Sequence, residues 1–137
     1  MKNYAVGIDV GGTRIKIALF DAEMQRISEQ QFLTDKEIGA DALMDFLAQQ
    51  VRVLVDHAGL TMQDVRGVGA AFPSYIDYEK GITIETSNIM SLNDQPVRDM
   101  LAARLNRPVY LDNDGNLSAL AEHQMGAGRG HDNLIYA

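Results

Sequence analysis

The stretch from Asp9 to Lys16 carries residues whose types and spacing suit the binding of a phosphate group and a divalent cation. The pair Gly11-Gly12 would let backbone N–H groups approach a phosphate closely. Thr13 and either Arg14 or Lys16 stand beside the pair as side-chain donors. Asp9, at the end of a predicted strand, suits a magnesium ion or its waters. For so short a motif, a Gly-Gly turn with a charged tip is the alternative interpretation.

A second polar cluster, Asp112-Asn113-Asp114, lies between a predicted strand and a predicted helix. Ligands of open α/β sheets bind at such junctions. A carboxylate at a helix N-terminus stays ionised near neutral pH and can take the proton of a hydroxyl within about 3 Å. The residues alone leave other interpretations open: a turn in which Asn113 or Asp114 caps the helix, or a metal or glycosidase site built on coupled carboxylates.

Two strands are predicted to position the first cluster. Residues 5–8 are an apolar run, and in residues 15–20 apolar side chains alternate with Lys16 and Ala18, which is the period of a strand. A Gly-Gly pair between two strands predicts a hairpin turn, because glycine reaches positive φ without steric cost. Residues 31–34 are predicted to add a third strand.

The remaining elements are predicted from apolar spacing. In residues 41–58, apolar side chains recur every three or four positions, as in an amphipathic helix. Asp41 and Gly59 are its predicted N-cap and C-cap. A buried strand is predicted at residues 65–72. A helix opens at Asp94-Gln95-Pro96, and a strand at residues 109–111 precedes a helix at residues 115–124.

Two motifs together resemble one family. The run IDVGGTRIKIALFD contains D-x-G-G-T-[R/K] between two strand signals and resembles the first phosphate motif of the sugar kinase, heat-shock ATPase and actin superfamily. Within that superfamily it is similar to the ROK family of sugar kinases and related repressors. The ROK pattern N-D-x-N-x-x-x-x-x-E is matched by Asn113-Asp114, Asn116 and Glu122, and the run 126–130 resembles the family's G-A-G-R-G segment.

The resemblance implies a fold and an activity. The fold would be α/β, of the actin-like ATPase (ribonuclease H-like) type, with a mixed sheet that opens with a β-hairpin and has helices on its faces. The activity of the complete protein would be ATP-dependent phosphorylation of a hydroxyl of a hexose or amino sugar, with Mg2+ as cofactor. The resemblance does not name the sugar.

The resemblance also implies roles for single residues. Asp114 would be the catalytic base, and Asn113, Asn88 and Asp114 would bind the sugar. Asn88 can donate and accept hydrogen bonds, although a loop asparagine can also satisfy its own turn. The residues that would face ATP are Asp9, Gly11, Gly12, Thr13 and Arg14, with Asp9 holding Mg2+ directly or through water.

Two departures from the family pattern leave an alternative open. Ser74 follows Pro73 where the family commonly has Pro-Gly, and Ser87 replaces a proline before Asn88. Serine resists positive φ, so the local loop geometry is in question. A non-catalytic, sugar-binding ROK-type regulator or interaction domain is therefore the alternative function. A ROK repressor would carry a helix-turn-helix before the first strand, which these residues do not contain.

Composition limits the partners. The formal net charge is −7, with no Lys/Arg-rich run, so a nucleic acid partner is not expected. No apolar run reaches the roughly 20 residues of a membrane span, and no signal peptide pattern is present, which predicts a cytoplasmic protein. Cysteine is absent, which excludes disulfides and thiolate metal sites.

Residues 1–137 are expected to form one domain, the N-terminal, sugar-binding domain of the family. The C-terminal nucleotide-binding half, where relatives often carry a zinc site, would be absent from this chain. We therefore expect the chain alone to be inactive. The complete protein is expected to form a homo-oligomer, in the simplest case a dimer.

Overall fold

The computed structural model describes residues 3–85, 89–112 and 117. Regular elements follow one another through this part of the chain. The strands are β1 (Tyr4–Val10), β2 (Arg14–Phe20), β3 (Arg26–Leu33), β4 (Val65–Ala71), β5 (Tyr75–Asp77), β6 (Ile82–Glu85) and β7 (Val109–Asp112). The α-helices are α1 (Ala40–His57) and α2 (Val97–Leu105).

A mixed sheet in the order β3-β2-β1-β4-β7 is the centre of the fold. Its first three strands in the chain are antiparallel neighbours, whereas β4 is parallel to both β1 and β7. Parallel neighbours need a long connection, and α1 and α2 supply these connections. The predicted α/β class and the opening β-hairpin are confirmed.

The main core lies between this sheet and the two helices. In β2, the alternation predicted from the sequence directs Ile15, Ile17 and Leu19 to the helical side, where each is at most 2% exposed. The buried side chains of α1 are Leu43, Met44, Leu47, Ala48, Val51, Leu54 and Val55. Burying each large aliphatic side chain contributes about 2 kcal/mol, so the apolar stripe of α1 determines which face it presents to the sheet.

The ends of α1 differ from the prediction. Gly39 is the N-cap residue, and Asp41 lies inside the first turn, where its charge favours the helix dipole. Ala58 is the C-cap residue. Gly59 follows with a φ of 75°, and its N–H donates to the carbonyl oxygen of Asp56 at 2.9 Å. The predicted caps were therefore wrong in residue number, although the helix itself is confirmed.

Two β elements were mispredicted. Strand β3 begins at Arg26, not at residue 31, because an edge strand with water on both faces does not need an apolar pattern. Strands β5 and β6 form a separate two-stranded sheet that was not predicted from the sequence. We call residues 75–85 the β5–β6 hairpin.

The opposite face of the sheet is lined by small residues near its centre. Gly7 of β1 lies between Ala18 of β2 and Gly69 of β4. Leu117, which is helical and 4% exposed, packs over them. A Cβ on Gly7 would lie 3.2 Å from Leu117 Cδ2, so the small side chains allow Leu117 to approach the sheet backbone. No helix of the described residues is long and apolar enough to span a membrane.

Candidate functional site

Three parallel strands end side by side and define the candidate site. In the strand register Asp9 of β1 pairs with Ala71 of β4, and Ala71 pairs with Asp112 of β7. Two strand spacings separate the backbones of Asp9 and Asp112, roughly 10 Å. The small side chain of Ala71 lies between the two carboxylates, so this edge of the sheet carries two acidic groups with little side-chain volume between them.

The loop after Asp9 is closed by its own backbone. Val10 and Ile15 form the last strand pair, and the N–H of Gly11 donates to the carbonyl oxygen of Arg14 at 2.8 Å. A Cβ on Gly11 would lie 2.9 Å from that same oxygen. Gly11 is therefore required by close approach of two backbone segments.

This corrects the predicted reason for the glycine pair. The positive φ angles among glycines of the described chain fall at Gly59 and Gly81, so the hairpin turn does not depend on the left-handed conformation expected at Gly11-Gly12. The turn itself is confirmed.

Thr34, directly after β3, holds the loop from the other side. Its N–H donates to the carbonyl oxygen of Thr13 at 2.9 Å, and its hydroxyl donates to the carbonyl oxygen of Gly11 at 2.9 Å. Two loop carbonyls are thus bound by one residue that directly follows a neighbouring strand. A loop held in this way has less conformational freedom to lose when it binds a ligand.

Lys16 lies directly opposite Asp9 in the strand register. Side chains at such paired positions have Cβ atoms about 5 Å apart and share a face. Lys16 is partly buried, whereas Arg14 is exposed and pairs with Leu33 of the edge strand β3. The sequence left Arg14 and Lys16 as alternative donors, and the register places Lys16 beside Asp9.

Tyr78, at the turn of the β5–β6 hairpin, interacts electrostatically with Asp112. Partial burial and, secondly, the negative charge of Asp112 raise the pKa of the Tyr78 hydroxyl above its usual value. The hydroxyl is therefore neutral at physiological pH, and can both donate and accept a hydrogen bond. Tyr78 could not be identified from the sequence, because a tyrosine in a turn has no distinguishing pattern.

Ser74 does not need the positive φ that the family's Pro-Gly sequence suggested for this position. The non-glycine residues with positive φ in the described chain are Met24, Asp94 and Asn106, so Ser74 is not strained. Its hydroxyl lies 2.8 Å from the carbonyl oxygens of both Tyr75 and Glu85. A serine here ties the base of the β5–β6 hairpin together.

The predicted sugar-binding residues Asn88, Asn113 and Asp114 lie outside the described residues. Ile89 is fully buried, and Asp112 belongs to β7. Of the predicted site residues, the structure describes Asp9, Gly11, Gly12, Thr13 and Arg14, and it brings these together at one loop.

The comparisons with known proteins decide the family. The model of the ROK family matches residues 5–137. The chain belongs to the ROK family. Among curated relatives, the glucokinase of Halalkalibacterium halodurans is 31% identical over 130 residues, which is 95% of this chain and 39% of that protein. The N-acetyl-D-glucosamine kinase of an Escherichia coli O139:H28 strain is 35% identical over 116 residues, 85% of this chain and 36% of that protein.

Solved structures of the ROK family share the fold. The ROK hexokinase of Thermus thermophilus matches with a TM-score of 0.68 and 35% identity, over 93% of this chain and 40% of that one. A ROK glucokinase from Streptomyces griseus, solved with glucose and AMPPNP, matches with a TM-score of 0.64 and 27% identity, over 94% and 39% of the two chains. This chain thus has the actin-like ATPase fold. It spans about two fifths of the length of these relatives.

Proposed function

We propose that this chain is the N-terminal, sugar-binding domain of an ATP-dependent sugar kinase that phosphorylates a hydroxyl of a hexose or amino sugar. The observation that carries the proposal is the row of Asp9, Ala71 and Asp112 at the ends of three adjacent parallel strands. A phosphate-type loop follows the first of these residues. Asn113 and Asp114 follow the last in the sequence.

The phosphate side of the proposed site is the loop after Asp9. The N–H of Gly11 closes the hairpin, so backbone contacts to the phosphates are assigned to Gly12 and Thr13. Arg14 and Lys16 add positive charge on the face of Asp9. Phosphoryl transfer depends mainly on positioning and on neutralising charge, which this loop is built to provide.

The acceptor side is assigned to Asn88, Asn113 and Asp114. Asp114 would take the proton of the sugar hydroxyl as that oxygen attacks the γ-phosphorus of ATP, and the bond from that phosphorus to the bridging oxygen of ADP breaks. The two asparagines would each donate to one sugar hydroxyl and accept from another. A few side chains that both donate and accept hydrogen bonds suit a ligand with several hydroxyl groups, such as a sugar.

The residues around Asp9 fit a magnesium ion. Mg2+ keeps several waters and takes one or two carboxylates together with substrate phosphates. In the part of the chain that the structure describes, no three acidic, histidine or cysteine side chains gather into a metal cage, so a site based on Asp9 would be of this open kind. Bound Mg2+ would neutralise charge on the phosphates.

The share of the relatives that this chain covers supports the proposal that sugar binding and nucleotide binding belong to different halves of the complete protein. Relatives extend well beyond the matched region, since the chain covers 39% of the Halalkalibacterium glucokinase. We place the nucleotide-binding half in the part of the complete protein that this chain does not contain. We therefore propose that the chain alone does not transfer phosphate. A dimer of the complete protein remains a prediction.

The test is a coupled assay of ADP release with ATP and magnesium, across hexoses and N-acetylhexosamines. This chain and a version extended through the natural C-terminus are each compared with their Asp114→Asn variants. Asp56→Asn, at an exposed position of α1, is the charge-matched control. We expect activity in the extended protein alone, lost in Asp114→Asn and retained in Asp56→Asn. Sugar binding by the extended protein without ADP release would overturn the kinase proposal in favour of a sensor.

A further inference from the structure

The β5–β6 hairpin begins close to the edge of the sheet that carries the candidate site. It follows β4 directly, and β4 ends at Ala71, the residue that lies between Asp9 and Asp112. Only residues 72–74 separate Ala71 from the first hairpin strand. The hairpin therefore begins where a ligand of the two acidic positions would lie.

Arg98 of α2 holds the tip of the β5–β6 hairpin. Its Nη1 donates to the carbonyl oxygen of Tyr78 at 3.1 Å, and its Nη2 donates to that of Glu79 at 3.3 Å. Its backbone N–H donates to the carbonyl oxygen of Gly81 at 3.2 Å. A Cβ on Gly81 would lie 2.6 Å from Arg98 Nε, so the guanidinium packs flat against the glycine.

Thr83 joins the other end of the hairpin to the start of α2. Thr83 and Gln95 exchange two backbone hydrogen bonds, of 2.9 and 3.1 Å. The Thr83 side chain is fully buried, and its hydroxyl donates to the carbonyl oxygen of Leu92 at 2.5 Å. With both ends bound, the hairpin moves with α2 and not as a free loop.

The tip held in this way carries Tyr78, whose hydroxyl is close enough to Asp112 to interact with its charge. Tyr78 is 44% exposed, so part of its ring and hydroxyl is open to a ligand. Aromatic rings pack against the apolar face of a bound molecule and keep a polar group at their edge. A neutral phenol beside a carboxylate can donate one hydrogen bond and accept another. These properties suit a sugar ring with its hydroxyls.

We propose that Tyr78 is a specificity-determining residue that contacts the acceptor sugar, and that Arg98 is the residue that positions it. This rests on the proposed sugar kinase function. Tyr78 would select among hexoses by the group that each presents to its ring and hydroxyl. Arg98 would act through the hairpin, because its Nη1 and Nη2 donate to the carbonyl oxygens of Tyr78 and Glu79, whereas its Nε lies 3.6 Å from the carboxylate of Asp99 on its own helix.

The test uses the extended protein with the variants Tyr78→Phe, Tyr78→Ala and Arg98→Gln. Tyr75→Ala is the matched control, because Tyr75 belongs to the same hairpin and is 76% exposed. We expect Tyr78→Ala to raise the sugar KM by about tenfold and to change the kcat/KM ratio of glucose to N-acetylglucosamine, as the loss of one pocket contact does. The ATP KM should stay within about twofold.

Positioning by Arg98 is tested with a double-mutant cycle. If Arg98 acts through Tyr78, Arg98→Gln should raise the sugar KM in the parent and have little further effect in Tyr78→Ala. Additive effects would overturn the positioning role. Circular dichroism checks that Tyr78→Phe and Tyr78→Ala are folded. If both folded variants keep the parent's kcat/KM ratio of glucose to N-acetylglucosamine, the specificity role is overturned.

A separate binding experiment distinguishes failure of the proposed kinase activity from failure of the Tyr78 proposal. Titration calorimetry with glucose and with N-acetylglucosamine, without ATP, measures sugar affinity whether or not phosphate is transferred. A parent protein that binds sugar without ADP release would contradict the kinase activity alone. Weakened binding in Tyr78→Ala, and not in Tyr75→Ala, would still support Tyr78 as a sugar contact.

Discussion

Gly7 and Leu117 approach each other so closely that a side chain at this position of β1 would require Leu117 to move. An added Cβ on Gly7 would lie 3.2 Å from Leu117 Cδ2 and 3.3 Å from the Leu117 carbonyl oxygen. The neighbouring strand positions, Ala18 and Gly69, are also small. Leu117 therefore rests directly on the backbone of the strand that leads to Asp9.

Substituting Gly7 should destabilise the protein according to side-chain size. We expect Gly7→Val to lower the free energy of unfolding by about 2 kcal/mol, since overpacking a filled site costs this much. Gly7→Ala should cost less, because alanine in a strand recovers up to about 1 kcal/mol of backbone entropy relative to glycine. Urea denaturation measures both. Equal midpoints for Gly7→Val and the parent would contradict the close contact.

Gly11→Ala should damage the phosphate loop. Its Cβ would lie 2.9 Å from the carbonyl oxygen of Arg14, and a backbone atom cannot yield as a side chain can. In the extended protein we expect the ATP KM to rise by about tenfold and the sugar KM to change little, as for a lost contact to one substrate. Steady-state kinetics with each substrate varied measures this.

Thr34→Val tests the same loop more gently. It removes the hydroxyl that donates to the Gly11 carbonyl oxygen and leaves the backbone bond to Thr13 in place. We expect a smaller rise of the ATP KM than in Gly11→Ala. A sugar KM that rises while the ATP KM stays constant would contradict a phosphate role for the loop.

The two strands on either side of Gly11 could be predicted because their apolar side chains alternate or run together. The reason for Gly11 could not, since a hairpin glycine is required either by positive φ or by close packing, and the sequence does not distinguish the two. Strand β3 was predicted too short, because residues 26–30 are polar on an edge that water reaches. Local patterns carry no signal for such a strand.

The candidate site was predictable only in part. Asp9 and the loop after it form a continuous motif, so the sequence shows them together. Tyr78 and Arg98 are 20 residues apart and meet only because the β5–β6 hairpin folds back onto α2. Neither residue has a spacing that indicates this contact. Lys16 lies opposite Asp9, but this could be known only from the register between β1 and β2, which the prediction of two strands does not give.

The titration of Tyr78 should depend on Asp112. Burial and the charge of Asp112 both raise the pKa of Tyr78, so the difference between the alkaline absorbance titrations of the parent and Tyr78→Phe should have a midpoint above about 10. Asp112→Asn should lower this midpoint, because it removes the nearby negative charge. Burial is the larger cause, so the midpoint should stay above the usual value. A midpoint unchanged by Asp112→Asn would contradict the proximity of the two side chains.

The same shift has a consequence for stability at alkaline pH. Tyr78 loses its proton at lower pH in the unfolded chain than in the folded chain, so the unfolded state binds fewer protons above about pH 10. The stability associated with neutral Tyr78 is present below that pH and is lost as the pH rises. Tyr78→Phe should therefore lose less stability between neutral and strongly alkaline pH than Tyr75→Phe, the control on the same hairpin. Equal losses would contradict the shift.

Thr83 should tolerate serine better than valine, although valine has nearly its shape. The hydroxyl of this fully buried residue donates to the Leu92 carbonyl oxygen and lies 3.2 Å from that of Gln95. Thr83→Val leaves buried carbonyl oxygens without that donor, which costs about 1–3 kcal/mol. Thr83→Ser keeps the donor and loses one methyl group, about 1 kcal/mol. Urea denaturation of both variants measures the order, and a valine variant as stable as the serine variant would show that the hydroxyl does not hold the hairpin to α2.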